Sequence, residues 1–322
     1  MTSTREAPGL IADIGGTNVR FALITGHGEP ENTRVLKCRD FDGPFGAAES
    51  YLGALGGHGR PDRAAFAVAS PVAGDTVTMT NHPWSFSIAE TRERLGLEAL
   101  RVVNDFAAVA MAVPYFTDLD RTPVGGGEAA PNEPIAVLGP GTGLGVSALV
   151  PAGGDWIPLS TEGGHVTMAA ANAREEGVIA RLRRTIGHVS AERVISGPGL
   201  VNIYQSLCAL DGKPPEPNLT PDEVSARAFA AASPRASEAL EMFCAMLGTV
   251  ASNLALSLGA RGGVYIAGGI VPKLGRAFAE SGFRERFEDK GRFSDFVAAI
   301  PTFVVTRELP AFVGLSLLVR AR

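Results

Sequence analysis

The same pattern opens both halves of this chain: an apolar run, a glycine turn, then a second apolar run. The first copy is LIADIGGTNVRFAL at 10–23 and the second is IAVLGPGTGLGVSALV at 135–150. Each predicts two strands joined by a tight turn. Glycines without a Cβ let successive backbone amides close on a phosphate, and Thr17 and Asn18 can add side-chain hydrogen bonds. Asp13 stands where a carboxylate can hold a magnesium-bound water beside that phosphate. Taken alone, the first copy serves equally well as an ordinary β-hairpin with an Asp-initiated turn. Its recurrence favours a duplicated architecture with nucleotide held between two lobes.

Other phosphate-binding solutions are missing. No Gly-Lys pair is followed by Ser or Thr, as a Walker loop requires. Counted from Gly139 or Gly141, the third glycine of a dinucleotide fingerprint falls on Leu144 or Val146. The HRD and DFG signatures of protein kinases are absent as well. Any phosphate must therefore sit on glycine hairpins rather than on a loop that opens a helix.

Composition narrows the partners. A net charge of −5 argues against a broad basic surface for nucleic acid. The lysines are Lys37, Lys213, Lys273 and Lys290, so phosphate handling falls to backbone amides, metal and arginine. Cys38, Cys208 and Cys244 lack metal-ligand spacing, and so sparse a set suits a reducing cytoplasm. No stretch approaches about 18 consecutive apolar residues, so no membrane span is expected, and Thr2–Gly9 shows no signal peptide. The expectation is a soluble cytoplasmic protein. At 322 residues it should form two domains.

Strands are expected at 10–14, 20–24, 64–69, 75–80 and 101–103, with helices at 47–55, 88–95 and 106–113. RTPVGGGEAAPNEP at 121–134 reads as a domain connection. Beyond it come a helix at 174–186, an extended segment at 193–196 and a helix opening at Gly199. Leu240, Phe243, Leu247, Val250, Leu254 and Leu258 form one apolar stripe on a long helix from about Arg235 to Leu258. A strand at 264–267, a helix around 273–280, a strand at 302–306 and a helix at 311–319 close the chain, the last packing back on the first domain. The expected division is a small α/β domain of 1–115 plus 306–322 and a large one of 116–305.

The chemistry-bearing residues cluster in a few places. RVVNDF at 101–106 ends a strand in Asn104-Asp105 and starts a helix, and such strand ends gather ligands in open α/β sheets. Asp105 could accept the proton of an attacking hydroxyl, or could simply cap the helix. Glu162-Gly163-Gly164-His165 presents an acceptor and an imidazole suited to the vicinal hydroxyls of a sugar; a structural histidine is the alternative. Glu192 has no spacing that separates it from a surface charge. Asn81-His82-Pro83-Trp84 could wall a sugar site, or Trp84 could anchor a domain edge. Gly268-Gly269 could lie against an adenine or simply form a strand-to-helix turn.

Taken in order, ADIGGTNVR, MTNHPWSFS, NDFAAVAMAVP, GTGLGV, EGGHV, AERVISGPGLVN, YIAGGIVP and FEDKGRF resemble the bacterial glucokinase family, the non-ROK branch of the hexokinase/actin-like ATPase superfamily. The likeness runs from about Leu10 to the C-terminal helix. It implies a two-lobed actin-like (ribonuclease H-like) α/β fold, each lobe a mixed sheet flanked by helices, with an interlobe cleft. It implies transfer of the γ-phosphoryl of Mg-ATP to the 6-hydroxyl of D-glucose, in a cytoplasmic homodimer. Asp105 then falls on the general base. Asn104, Glu162, His165 and Glu192 fall on the residues that bind the sugar. Ala12, Asp13, Ile14, Gly15, Gly16 and Thr17 fall on the first phosphate loop, with Asp13 orienting Mg²⁺ through water. Gly141 and Thr142 belong to the second loop, and Gly268 and Gly269 border the adenosine. Lobe closure would exclude water from the reaction. The ROK cysteine-rich zinc motif is absent. Pro140 and Thr167-Met168 depart from the family pattern. Two other readings remain: a kinase of mannose or fructose, and a catalytically silent sugar sensor. Residues 1–9 are too short for a helix-turn-helix, which weighs against the sensor.

Overall fold

The computed structural model describes residues 7–26, 28–56 and 60–321. Residues 2–6 of the segment read for a leader lie outside them. Two compact units emerge. One comprises the described residues up to Phe116, Trp156–Thr161 and those from Arg307 onward; the other comprises Thr117–Asp155 and Glu162–Thr306.

The strands are β1 (Gly9–Ile14), β2 (Asn18–Ile24), β3 (Pro30–Lys37), β4 (Arg63–Val68), β5 (Thr76–Thr78), β6 (Ser85–Ser87), β7 (Ala99–Asn104), β8 (Arg121–Pro123), β9 (Ile135–Pro140), β10 (Leu144–Ala152), β11 (Asp155–Ser160), β12 (Val264–Ile266) and β13 (Thr302–Val305). Two sheets run β3-β2-β1-β4-β7 and β11-β10-β9-β12-β13-β8, and β5 pairs with β6 separately. The duplication expected from the glycine hairpins is visible in this order. In each sheet an antiparallel hairpin, β1–β2 or β9–β10, is followed by a parallel neighbour, β4 or β12. The second sheet adds β8, antiparallel to β13, at its edge.

Parallel strands flanked on both faces must be apolar almost throughout. RAAFAV in β4 and IAVLGP in β9 meet that demand and are almost entirely buried. Their register matters for function. Ile14 of β1 pairs with Val68 of β4, and Val68 with Asn104 of β7. The first glycine loop, Ser70 and Asn104-Asp105 therefore all emerge from one end of the first sheet.

Helix Pro310–Arg320 packs on helix Asp105–Ala112 and on β1. The approach is close because Gly314 has no side chain: a Cβ there would lie 2.0 Å from the Ala108 carbonyl oxygen. The long helix is Pro234–Leu258, capped by Ser233 and stopped by Gly259 at φ 62. Leu240, Phe243, Leu247 and Val250 are buried, while Leu254 and Leu258 are only partly so. This helix is long and apolar enough to cross a membrane, but 72% of its apolar window is already buried against its own unit. It is a core helix.

Three local expectations are corrected. Residues 193–196 form no strand. A short 3₁₀ turn covers Ala191–Arg193, and Ser196 donates to the Glu192 carbonyl and caps helix Gly197–Leu210 by accepting from Gly199 N. Such local side-chain bonds compete with extended structure. The helix expected at 273–280 is two short pieces, Val271–Leu274 and Arg276–Ala279, divided at Gly275 with φ 53. The 121–134 stretch is not a free connection. It supplies β8, and Val124, Glu128 and Ala130 donate to Thr302, Ala299 and Arg261 within the second unit.

Candidate active site

In the first unit the glycine loop closes through Gly15 N, which donates to Asn18 O at 3.0 Å. The loop is braced from behind by Cys38, whose amide donates to Thr17 O and whose thiol donates to Gly15 O at 3.4 Å. Asn81 braces it from the side, since a Cβ on Gly16 would lie 3.1 Å from the Asn81 carbonyl. The NHPW segment thus supports the phosphate loop. Trp84 is its buried anchor, donating from Nε1 to Phe41 O at 2.8 Å, and His82 meets it edge to face.

Asp13 carries an ion pair that the sequence did not reveal. Arg20, its cross-strand partner in the β1–β2 register, reaches its carboxylate at 3.2 Å. Burial pushes the Asp13 carboxyl above the ordinary range, and Arg20 pulls it partly back. Among the described residues, no group of three or more His, Cys, Asp or Glu side chains could hold a metal. A metal here would rest on Asp13 together with oxygens of the ligand and water. A single carboxylate suits Mg²⁺, which keeps most of its water and favours phosphate oxygens. Lys37, set aside with the other lysines on sequence grounds, stands next to the loop. Its Nζ donates to Asn18 Oδ1 at 2.8 Å, placing a cation beside the loop through the β2–β3 pairing.

At the end of β7 the structure decides between the two roles open to Asp105. The helix cap is Asn104, whose Oδ1 accepts from Phe106 N at 2.9 Å and Ala107 N at 3.2 Å. Asn104 is buried, and its Nδ2 reaches Ser70 O at 3.5 Å. Ser70 in turn accepts from Thr80 N. With capping done by its neighbour, Asp105 becomes the first helical residue, half-buried, with one oxygen accepting from Phe106 N.

In the second unit, Gly141 N donates to Gly143 O, and Gly141 O accepts from Gly197 N, both at 2.8 Å. Thr142 is exposed at the tip. Gly268, at φ 82, presses on this hairpin: a Cβ there would stand 2.5 Å from Pro140 O, whereas Gly269 faces open space. Pro140 is buried and its carbonyl accepts from Ile270 N. Glu162 and His165 are exposed neighbours, with His165 Nε2 3.9 Å from Glu162 Oε2. Between them Gly164 is buried, and a Cβ there would meet Leu144 O at 2.0 Å. Met168 is buried in the core, which explains an apolar residue at that departure from the family pattern.

Glu192 is no free surface charge. Its Oε2 accepts from Leu144 N at 2.9 Å, and a Cβ on Gly143 would lie 2.4 Å from the same oxygen. The structure therefore gathers Gly141, Thr142, Glu162, His165, Glu192, Gly268 and Gly269 in one unit, and Ala12–Thr17, Asn104 and Asp105 in the other.

A glucokinase family model matches residues 10–322. A glucokinase of Paramagnetospirillum magneticum is 56% identical over 311 residues, covering 96% of this chain and 97% of that protein. A bifunctional protein of Paraburkholderia xenovorans is 50% identical over 97% of this chain, which spans only 48% of its length. The crystal structure of a glucokinase from an Antarctic psychrotroph superposes with a TM-score of 0.86 at 37% identity, covering 97% of this chain and 98% of that one. A family model that spans nearly the whole sequence, with a glucokinase 56% identical over 97% of its own length, shows that the chain belongs to the bacterial, non-ROK glucokinase family.

Proposed function

We propose that the chain is an ATP-dependent glucokinase that forms glucose 6-phosphate, with Asp105 as general base. The observation that carries this reading is local. Asn104 takes the capping role, leaving Asp105 at the mouth of the same sheet end that bears the first glycine loop. A carboxylate there accepts the proton of the 6-hydroxyl as its oxygen attacks the γ-phosphorus and the bond to the bridging oxygen of ADP breaks. Amides of Gly16 and Thr17 in the first unit offer donors to phosphate oxygens, as do those of Thr142 and Gly143 in the second, where the Gly141 amide is already bonded to Gly143 O, so catalysis is mainly positioning and electrostatics. Mg²⁺ at Asp13, when bound, would neutralise part of the phosphate charge.

Glu162, His165 and Glu192 hold the sugar hydroxyls, with His165 and Glu192 toward the anomeric end. This disfavours a ketose. Gly268 and Gly269 offer a flat backbone edge to the adenosine. The same reading includes a cytoplasmic homodimer built from a 1–115 plus 306–322 domain and a 116–305 domain; sedimentation of the purified protein tests the dimer. A coupled ADP-release assay with ATP and a panel of glucose, mannose and fructose tests the activity. Glucose should be turned over most efficiently. Preference for fructose or mannose would replace the substrate, and silence on every sugar would remove the kinase reading.

A further inference from the structure

Leu144 is the point where the sugar-binding and phosphate-binding segments of the second unit meet. Its amide donates to Glu192 Oε2 at 2.9 Å. Its carbonyl lies so close to Gly164 that any side chain there would strike it at 2.0 Å. Leu144 directly follows the glycine turn, and Gly143 packs against the same Glu192 oxygen, 2.4 Å from where its Cβ would be. A second bond ties the segments together, from Gly197 N to Gly141 O at 2.8 Å. The 192–197 segment therefore holds the glycine turn from both sides. The sugar-binding loop is fastened directly before this segment, since Ala191 N donates to Val166 O at 2.9 Å.

We propose that Glu192 is a positioning residue for the second phosphate loop, as well as a sugar ligand, and so couples sugar binding to nucleotide binding within one unit. The inference rests on the glucokinase reading for its ligands. One carboxylate oxygen fixes the Leu144 amide and sets the shape of the turn; the other is left for a sugar hydroxyl. A sugar that pulls on this carboxylate re-sets the turn, and by linkage ATP changes sugar affinity by the same factor. Gly143 is required because a methyl group would push the carboxylate off Leu144.

The test separates positioning from sugar contact by leaving the sugar out. Binding of a non-hydrolysable ATP analogue with Mg²⁺ is titrated into sugar-free wild type, Glu192→Ala and Glu192→Gln. Loss of one charge-assisted hydrogen bond predicts roughly tenfold weaker binding for Glu192→Ala. Glu192→Gln, whose amide oxygen can still accept from Leu144 N, should return to within about threefold of wild type. Unchanged analogue affinity in Glu192→Ala, or a Gln variant as poor as Ala, overturns the proposal. Should Glu192→Ala fail to fold, Gly143→Ala serves, because the flexible carboxylate can swing away from the new methyl. It should raise both the analogue Kd and the glucose KM, although it lies on the phosphate loop; an unchanged glucose KM overturns the coupling. Wild-type turnover of glucose, measured alongside, tests the glucokinase reading separately, since the analogue titration needs no sugar.

Discussion

Replacing Asn104 by alanine tests the division of labour at the end of β7. Asn104 Oδ1 serves both Phe106 N and Ala107 N. After truncation Phe106 N keeps a partner, because Asp105 Oδ1 already accepts from it at 2.8 Å. Ala107 N does not, and Ala107 is 1% exposed, so water cannot easily replace the lost acceptor. An unsatisfied buried donor costs about 1–3 kcal/mol, and loss of an N-cap about 1 kcal/mol, so roughly 2 kcal/mol is expected. That corresponds to melting lower by on the order of 5–10 °C for a unit of this size, read by circular dichroism. The frayed first turn also frees Asp105 from its position, so kcat should fall with stability. Asn104→Ser keeps a good cap and should melt within a degree or two of wild type, separating capping from any contact of the amide with sugar. An Asn104→Ala protein that melts like wild type would refute the capping argument.

Other outcomes follow from single contacts. Burial raises the Asp13 carboxyl, so on acidification it takes up a proton at a higher pH than ordinary carboxylates. Activity should therefore fall on the acid side, excess Mg²⁺ should shift that limb to lower pH, and an acid limb indifferent to Mg²⁺ would oppose the assignment. With a folded pKa above the unfolded one, the ionised Asp13 is a cost to the fold at neutral pH, so Asp13→Asn should melt no lower than wild type while losing Mg-ATP affinity. Arg286 reaches Glu175, 1% exposed, at 2.8 Å. Arg286→Ala removes the only cation paired with that carboxylate among the described residues, leaving it the Ala171 amide and Asn172 Nδ2, and should cost about 2–3 kcal/mol in urea unfolding; a loss under about 1 kcal/mol would show those two donors to be enough for the charge. Gly164→Ala sets a methyl against a backbone carbonyl that cannot rotate away, so glucose KM should rise even where the protein stays folded; an unchanged KM would place the sugar elsewhere.

What could be read in the sequence is what repeats or alternates locally. The two glycine hairpins, the strands around them and the long apolar helix are written in runs of neighbouring residues, and the sheet orders follow from their duplication. The resemblance supplied the site residues, and the structure added how each is held. Arg20 opposite Asp13 depends on strand register. Glu192 on Leu144 spans 48 positions, which no local pattern encodes. The choice of Asn104 over Asp105 as cap depends on the backbone angle at which β7 ends, since both residue types cap well. The expected connection at 121–134 failed because its Pro and Gly content signals turns, not freedom, and its amides find partners in the second unit.

The central claim is that Asp105 takes the proton from the sugar hydroxyl. Its most direct test is steady-state turnover of Asp105→Asn with saturating glucose and Mg-ATP, alongside glucose binding measured calorimetrically. The amide keeps the shape and the bond to Phe106 N but cannot accept the proton. The account predicts a kcat lower by more than about 10⁴-fold, the upper end for loss of a general base, with glucose affinity changed by less than about threefold. Near-normal turnover in a folded Asp105→Asn protein would contradict it.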